Sequence, residues 1–258
     1  MADQPREDHY VQSLARGLSV ITAFGPTTPE LSLSDVARST GLTRAAARRF
    51  LLTLVDLGYV RQEGKLFRLT PRVLALGYAF LSSVSLPGIA GPHLERLAGE
   101  VHESSSMSVL DGRDVVYLAR VPTSRIMTVS INVGTRFPAY ATSMGQVLLA
   151  GLDDDALEEH LAGLDPVPTT EHTLTSVEAL RSRVRQVRSQ GFALVDQELE
   201  YGLRSLAAPV HNRAGTVVAA VNVSTQASRV GPEETRRALL PPLLKAVAEI
   251  ENDLSRSP

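Results

Sequence analysis

The sequence predicts an α+β protein with two unequal parts: a small helical module that ends in a hairpin, and a larger α/β domain around a mainly antiparallel sheet. The chain has 258 residues, more than one domain usually holds, and 43% of them are hydrophobic, enough to build ordinary cores. Helical periodicity dominates the first third, and β-prone runs alternate with helical ones afterwards. We expect the module at 10–70, a linker helix at 71–85 and the larger domain at 86–256.

The first helix is predicted between Val11 and Phe24, and the Gly/Pro/Thr run at 25–29 ends it. Its apolar residues recur at the spacing of one helix face: Val11, Leu14, Leu18 and Ile21. Ser34 is predicted to cap a short second helix that Gly41 ends, since glycine tolerates the left-handed conformation there.

Thr43 is predicted to cap a third helix that closes at Gly58. The expected inner face of this helix consists of Ala46, Phe50, Leu54 and Leu57. Two β-prone runs follow at 59–62 and 66–69, and Glu63-Gly64-Lys65 between them favours a hairpin turn. Two helices, a short turn, a third helix and a hairpin make the order of a winged helix-turn-helix.

Thr70-Pro71 begins the predicted linker helix, which is apolar on several sides and therefore suits a partner subunit or the interior of its own chain. Leu86-Pro87-Gly88 marks the predicted domain boundary. Beyond it we expect a helix to 103 and then a hairpin that turns at 111–114. Further helices are predicted from 143 and at 154–161, 177–190 and 232–254, and strands at 106–110, 115–120, 127–133, 192–195, 207–211 and 217–223.

Charge is divided unevenly along the chain. Residues 31–72 hold eight basic side chains against three acidic ones, whereas residues 86–258 hold 16 basic and 21 acidic ones. This pattern fits a polyanion partner for the first part, although a solvated basic surface is an equal alternative on charge alone. The chain has no cysteine and no apolar run long enough for a membrane span, which favours a cytoplasmic protein.

The third helix carries the strongest functional pattern. Four outward positions form one ridge, because their i,i+4 spacing stacks them: Arg44, Ala45, Arg48 and Arg49. Arginine reads guanine or clamps phosphate, and alanine lets the backbone approach the major groove. Thr43 and the hairpin-tip Lys65 are placed for phosphate contacts, with Arg16 and Ser34 as weaker candidates. Solvent exposure alone would explain any one arginine, but the whole combination indicates double-stranded DNA.

A second pattern lies in the larger domain. Thr142 or Ser143 caps a helix whose first amides suit a carboxylate, although an ordinary capped helix has the same sequence. Two roles are predicted for Arg204: a counter-ion for a ligand, or a structural ion pair with Glu198 or Glu200. Alternation places Asn222 and Ser224 on one face of an apolar strand, where polar groups need partners from a ligand or a neighbouring loop.

The strings Ser13–Leu18 and LSDVARSTGLTRAAARRFLLTLVDLGYV (33–60) resemble the IclR family of bacterial regulators, over nearly the whole chain. VGTRFPAYATSMGQVLLA (133–150) is similar to the subgroup that controls protocatechuate and other aromatic-acid catabolism through the β-ketoadipate pathway. The resemblance implies a GAF-like effector-binding domain, a homodimer or tetramer on a pseudo-palindromic operator, and a small aromatic or dicarboxylic acid as effector. The lining that it implies for the effector is Met127, Ser143, Met144, Leu203, Ser205, Asn222 and Ser224, with Asp196 nearby.

Enzyme motifs are missing from the sequence. It has no nucleophile elbow, P-loop, dinucleotide fingerprint or HExxH, and the spacing of its six histidines does not indicate a metal site. We therefore expect no catalysis, cofactor or metal, and the resemblance leaves a zinc site in the larger domain as a minor alternative, because some relatives hold a metal there. The alternatives are an IclR-type regulator of a different carbon-metabolism operon and a DNA-binding architectural protein without an effector.

Overall fold

The computed structural model describes residues 10–77, 86–123 and 131–256. The chain separates into two compact units, Met1–Ser83 and Val84–Pro258. Each unit has its own apolar core, and each is described below by itself. No helix in the described ranges is long and apolar enough to cross a bilayer.

The N-terminal unit packs three helices against a small sheet. The helices are α1 (Gln12–Thr22), α2 (Leu33–Thr40) and α3 (Arg44–Asp56). The strands are β1 (Leu31–Ser32), β2 (Val60–Glu63) and β3 (Leu66–Leu69), and they form an antiparallel sheet in the order β1-β3-β2. This arrangement is the winged helix-turn-helix that the sequence predicts, with β1 as an additional short strand.

The cap of α2 differs from the prediction. Ser32, and not Ser34, is the N-cap, because the Ser32 hydroxyl accepts from the Asp35 amide while the Asp35 carboxylate accepts from the Ser32 amide. Ser34 has Ala37 three residues later and cannot form this reciprocal pair. Gly41 ends the helix at φ 67°, as predicted.

The inner face of α3 is turned by one residue from the predicted face. Ala47, Leu51 and Leu54 are buried, whereas Leu57 is 51% exposed. Ala46 and Phe50 are only partly buried. Adjacent apolar residues at 46–47 and 50–52 allow two registers in the sequence, and tertiary packing selects the second.

The segment after the hairpin begins as predicted and then leaves the described ranges. Thr70 caps a 3₁₀ turn at Pro71–Val73, and residues 74–77 are helical. The remainder of the predicted linker helix falls at 78–85, outside the described residues, so the linker helix stays a prediction.

The C-terminal unit contains one six-stranded antiparallel sheet in the order β6-β5-β4-β9-β8-β7. Its strands are β4 (Ser104–Asp111), β5 (Asp114–Val121), β6 (Arg136–Pro138), β7 (Ala193–Asp196), β8 (Leu203–His211) and β9 (Val217–Gln226). Its helices are α4 (Leu86–Val101), α5 (Ser143–Ala150), α6 (Asp154–Leu161), α7 (Val177–Gln190) and α8 (Pro232–Arg256).

The two faces of this sheet are covered by different helices. We name the face covered by α5, α6 and α7 the inner face, and the face covered by α4 and α8 the outer face. The hairpin turn at 111–114 forms as predicted, with Asp111 paired to Asp114. Of the predicted strand at 127–133, residues 127–130 lie outside the described residues, and residues 131–133 are not strand. The short β6 was not predicted.

Candidate functional site

The outward ridge of α3 is exposed in the structure. Thr43 is the N-cap, and its hydroxyl accepts from the Ala46 amide at 3.2 Å. This cap fixes the start of the helix. The exposed positions include all four of the predicted ridge: Arg44, Ala45, Arg48 and Arg49.

Ion pairing separates this ridge from other arginines of the same unit. Arg38 pairs with Asp35 at 3.3 Å, Arg61 pairs with Glu63 at 3.1 Å, and Arg68 pairs with Glu30. Within the described ranges no carboxylate lies at ion-pair distance from the three arginines of the ridge. They are therefore a set of exposed charges available to an external anion.

The other predicted phosphate contacts, Lys65 and the weaker candidates Arg16 and Ser34, occupy separate positions. Arg16 is exposed on α1 and lines a shallow groove with Arg49 of α3. Lys65 is exposed at the hairpin tip, whereas Ser34 is half-buried within the first turn of α2. The structure thus places Arg16 beside the ridge, and Lys65 on the wing.

A small cavity lies between the inner face of the sheet and the amino end of α5. It encloses about 20 Å³, room for about one water molecule. Its lining combines hydroxyl, amide and apolar side chains: Tyr117, Ala141, Thr142, Ser143, Val195, Leu199, Leu203, Ser205, Asn222 and Ser224.

The amino end of α5 forms one wall. Thr142 is the N-cap, and its hydroxyl accepts from the Gly145 amide at 3.0 Å. The amides of Ser143 and Met144 have no hydrogen-bond partner among the described residues. Gly145 is required by packing, because a Cβ at this position would lie 2.0 Å from the carbonyl oxygen of Ala139. The helix therefore sits against its neighbour with two first-turn donors left over.

A buried hydroxyl and amide cluster forms the opposite wall. Ser143 donates to the Ser205 hydroxyl at 2.8 Å. Asn222 donates through Nδ2 to Ser205 at 2.9 Å and to Ser224 at 3.1 Å. Asn222 is 3% exposed, and its Oδ1 has no hydrogen-bond partner among the residues that the structure describes. A buried acceptor without a donor costs about 1–3 kcal/mol, so this atom marks a place where a donor from a ligand would be stabilising.

The cavity brings together five of the eight predicted effector contacts, and Met144 and Asp196 are not among its lining residues. The five are Ser143, Leu203, Ser205, Asn222 and Ser224. Met144 is fully buried behind them, where its sulfur accepts from the Ser108 hydroxyl at 3.3 Å. Met127 falls outside the described residues.

Asp196 lies on the outer face of the sheet and does not line this cavity, so its predicted place near the effector stays a prediction. Both oxygens of Asp196 accept from Arg204, at 3.0 and 2.9 Å. Arg204 also donates to the Val230 carbonyl and to the Thr235 hydroxyl. Alternation along β7 and β8 places this pair opposite the cavity.

Arg204 therefore has the second of the two roles that the sequence suggested, that of a structural pair, but with a different partner. It is not a counter-ion for a ligand in this cavity, and its carboxylate partner is not Glu198 or Glu200 but Asp196. The pairing register of β7 and β8 determines this partner, because it places Asp196 directly opposite Arg204.

Five lining residues were missed by the sequence analysis: Tyr117, Ala141, Thr142 (considered only as a cap), Val195 and Leu199. Tyr117 is 4% exposed, and burial raises the pKa of its hydroxyl to about 12, which keeps it protonated at neutral pH. Alternation would have placed Val195 on the cavity face once Asp196 was known to be on the other face.

A buried carboxylate lies behind α5. Glu198 is 4% exposed, and it accepts from Gln146 Nε2 at 3.1 Å and from Arg183 at 3.1 Å. Burial raises the pKa of Glu198, and Arg183 opposes this only in part. In the described ranges no group of three or more His, Asp or Glu side chains is arranged to hold a metal ion.

Two family models match the chain in succession. The IclR helix-turn-helix domain matches residues 13–64, and the bacterial transcriptional regulator IclR C-terminal domain matches residues 78–252. The chain belongs to the IclR family. This IclR-family chain is 44% identical over 246 residues to the Pca regulon regulatory protein of Pseudomonas putida, covering 95% of the chain and 84% of the relative.

Solved structures agree with this assignment. A transcriptional regulator of Rhodococcus sp. RHA1 is similar with a TM-score of 0.84 and 58% identity, covering 95% of this chain and 98% of the other. An IclR homologue of Microbacterium hydrocarbonoxydans, complexed with 4-hydroxybenzoate, is similar with a TM-score of 0.83 and 26% identity, covering 95% and 100%. The α+β fold and the regulator class expected from the sequence are both confirmed.

Proposed function

We propose that this IclR-type regulator senses a small aromatic acid in the cavity beneath α5 and controls genes of the protocatechuate/β-ketoadipate pathway. One observation supports the proposal most strongly. The amino end of α5, whose Ser143 and Met144 amides have no partner among the described residues, lies against a buried polar cluster in which one acceptor, Asn222 Oδ1, has none there either. A ligand with both donor and acceptor groups satisfies all three atoms.

The relatives support the same class of effector. The Pseudomonas putida relative is the Pca regulon regulatory protein, and the homologue of Microbacterium hydrocarbonoxydans was solved in complex with 4-hydroxybenzoate. Leu199 and Leu203 offer apolar contacts for an aromatic ring, and Ser143, Ser205 and Ser224 offer hydroxyls for its polar substituents.

Effector binding requires the cavity to widen. Pockets for drug-sized ligands hold about 300–1,000 Å³, whereas this cavity encloses about 20 Å³. The polar groups are anchored on strands and on α5, so we propose that the apolar side chains Leu199 and Leu203 move to admit the ligand. This movement is the conformational change that the effector stabilises.

The effector proposal is tested by the melting temperature of the full chain with 4-hydroxybenzoate, protocatechuate and a dicarboxylate such as adipate. A ligand that binds the folded state raises the melting temperature. Ser143→Trp fills the cavity and should remove this rise while leaving operator binding intact. If none of the acids shifts the wild-type protein, the chain senses a different effector or none.

The ridge of α3 is the proposed DNA-reading surface. Arg44, Ala45, Arg48 and Arg49 enter the major groove, and Thr43 and Lys65 contact phosphates, with Arg16 and Ser34 at the edge of the interface. Arg48→Ala should weaken operator binding by about 1–3 kcal/mol in a mobility-shift titration. Arg61→Ala, which removes an exposed arginine already paired with Glu63, is the matched control. Equal affinity for wild type and Arg48→Ala would remove Arg48 from the interface.

The assembly that we propose is a homodimer, or a tetramer of two dimers, on a pseudo-palindromic operator in the cytoplasm. An exposed apolar stripe on α1 supports self-association: Val11, Leu14 and Leu18 are 58%, 63% and 50% exposed. Two copies that bury this stripe would place their recognition helices on successive half-sites. We propose no catalytic role, in keeping with relatives that are regulators.

A further inference from the structure

The inner face of the sheet carries a polar row that extends past the cavity. Asn222 of β9 is paired in register with Ser106 of β4, and Ser106 is paired in register with Arg120 of β5. Residues directly opposite each other on neighbouring strands share a face. Asn222, Ser106 and Arg120 therefore lie side by side on the face that also holds the cavity.

Arg120 differs from the other half-buried arginines of this unit. Its one hydrogen bond within the described ranges goes from a guanidinium NH to the Ser106 hydroxyl at 3.4 Å, a long contact. Arg183 and Arg204, by contrast, each pair with a carboxylate. Burial lowers the pKa of Arg120, and no carboxylate of the described residues opposes that effect.

Such a guanidinium has unused hydrogen-bonding capacity at a desolvated position. Arginine has five N–H donors in a planar fork that matches a carboxylate. Tyr117, on the same strand, lines the cavity, and Ser106 connects Arg120 to Asn222 across one strand. The row thus has a formal positive charge at one end and an unsatisfied neutral acceptor toward the other.

We infer that Arg120 is the counter-ion for the carboxylate of the effector, and that the ring hydroxyl of the effector donates to Asn222 Oδ1. The inference rests on the proposed function and adds an orientation to it. The hydroxyl oxygen also accepts from the first amides of α5. A hydroxy-substituted aromatic acid satisfies each of these groups, whereas a second carboxylate has no donor for Asn222.

Isothermal titration calorimetry of the full chain with 4-hydroxybenzoate, 4-hydroxybenzamide and benzoate tests this orientation. Wild-type protein should prefer the acid to the amide by about 10- to 100-fold, the value of a charge-assisted hydrogen bond. Arg120→Gln should reduce that preference to within about threefold, and Arg120→Lys, which keeps the charge, should retain part of it. Asn222→Ala should lower the preference for 4-hydroxybenzoate over benzoate and leave the preference for acid over amide intact.

Arg185→Gln is the control, because it removes the same charge from an exposed position on α7. Circular dichroism and melting temperatures establish that each variant is folded. An Arg120→Gln protein that still prefers the acid to the amide as strongly as wild type overturns the inference. Wild-type protein that binds none of the three ligands refutes the proposed effector class instead, so the two failures are distinguishable.

Discussion

The two faces of the six-stranded sheet use the same strands for different purposes. The outer face presents apolar side chains such as Leu206, Val221 and Val223 to α4 and α8, and all three are fully buried. The inner face presents Ser205, Asn222 and Ser224 from alternating positions of the same two strands. Each residue on one face has a sequence neighbour on the other. Residues that pack in the core therefore alternate along these strands with residues of the polar cluster.

The arginines of the two faces show the difference most clearly. Arg204, on the outer face, has a bidentate carboxylate, a carbonyl and a hydroxyl as partners. Arg120, on the inner face, makes one hydrogen bond within the described ranges, a long contact to Ser106. A fully engaged arginine is part of the scaffold, while a poorly engaged one at a buried position is a mark of ligand recognition.

The largest expected effect on stability comes from Arg204→Met. The substitution leaves Asp196 and the Val230 carbonyl without their donor, and breaking such a buried pair costs about 3–5 kcal/mol. Arg120→Met should change the free energy of unfolding by less than about 1 kcal/mol, since it removes an incompletely paired charge. Urea denaturation measures both variants. Similar losses for the two would erase the distinction between the faces.

A second comparison concerns the free energy of unfolding of two variants at neighbouring residues of β8, Leu206→Ala and Ser205→Ala. Leu206 is fully buried, and its truncation should cost about 2–5 kcal/mol through lost burial and a residual cavity. Ser205→Ala removes a hydroxyl from a cluster in which Asn222 can still donate to Ser224, at about 1 kcal/mol. The shift of the urea denaturation midpoint of each variant, at an unchanged m-value, measures its loss in free energy of unfolding. A larger loss for Ser205 would mean that the polar cluster is part of the core.

Asn222→Ala should have a smaller effect on stability, within about 1 kcal/mol. The variant loses two hydrogen bonds but also removes the acceptor that has no donor. Melting temperature and effector affinity should therefore separate, with affinity falling more than stability. Parallel losses of both would assign Asn222 a structural role.

Glu198→Gln is expected to show the smallest effect, seen as a change in pH dependence. Burial raises the pKa of Glu198 above its ordinary 4.5, so the folded state releases this proton at higher pH than the unfolded state does. The contribution of Glu198 to the free energy of unfolding therefore falls as pH rises above 4.5. The stability of wild type relative to Glu198→Gln should decrease across that range, as followed by urea denaturation at several pH values. A constant difference would contradict the raised pKa.

Local sequence patterns predicted most of the elements. Caps such as Thr43 and turns such as Gly41 and 111–114 depend on a few adjacent residues, and the structure shows them where they were expected. Two predictions were wrong where neighbouring residues could fill the same position, namely the N-cap of α2 and the buried face of α3. Ser32 and Ser34 both precede α2, and only the position of Asp35 three residues after Ser32 selects the cap.

The site was harder to predict because it depends on register between strands. Asp196 is close in sequence to the cavity residue Val195, yet alternation turns it to the other face. Arg120 is distant in sequence from Asn222, and two pairings through Ser106 bring them onto one row. Alternate serines at 104, 106 and 108 were the available sign of a polar inner face, but their partners on β5 and β9 could not be assigned from one sequence.

Gly145 has a consequence for anyone who wishes to redesign this protein as a biosensor. Even a methyl group at that position would collide with the carbonyl of Ala139, at 2.0 Å. Libraries intended to change ligand preference should therefore keep Gly145 fixed and diversify Leu199, Leu203 and Asn222. Such a design preserves the packing of α5 against Ala139 while it changes the shape of the cavity.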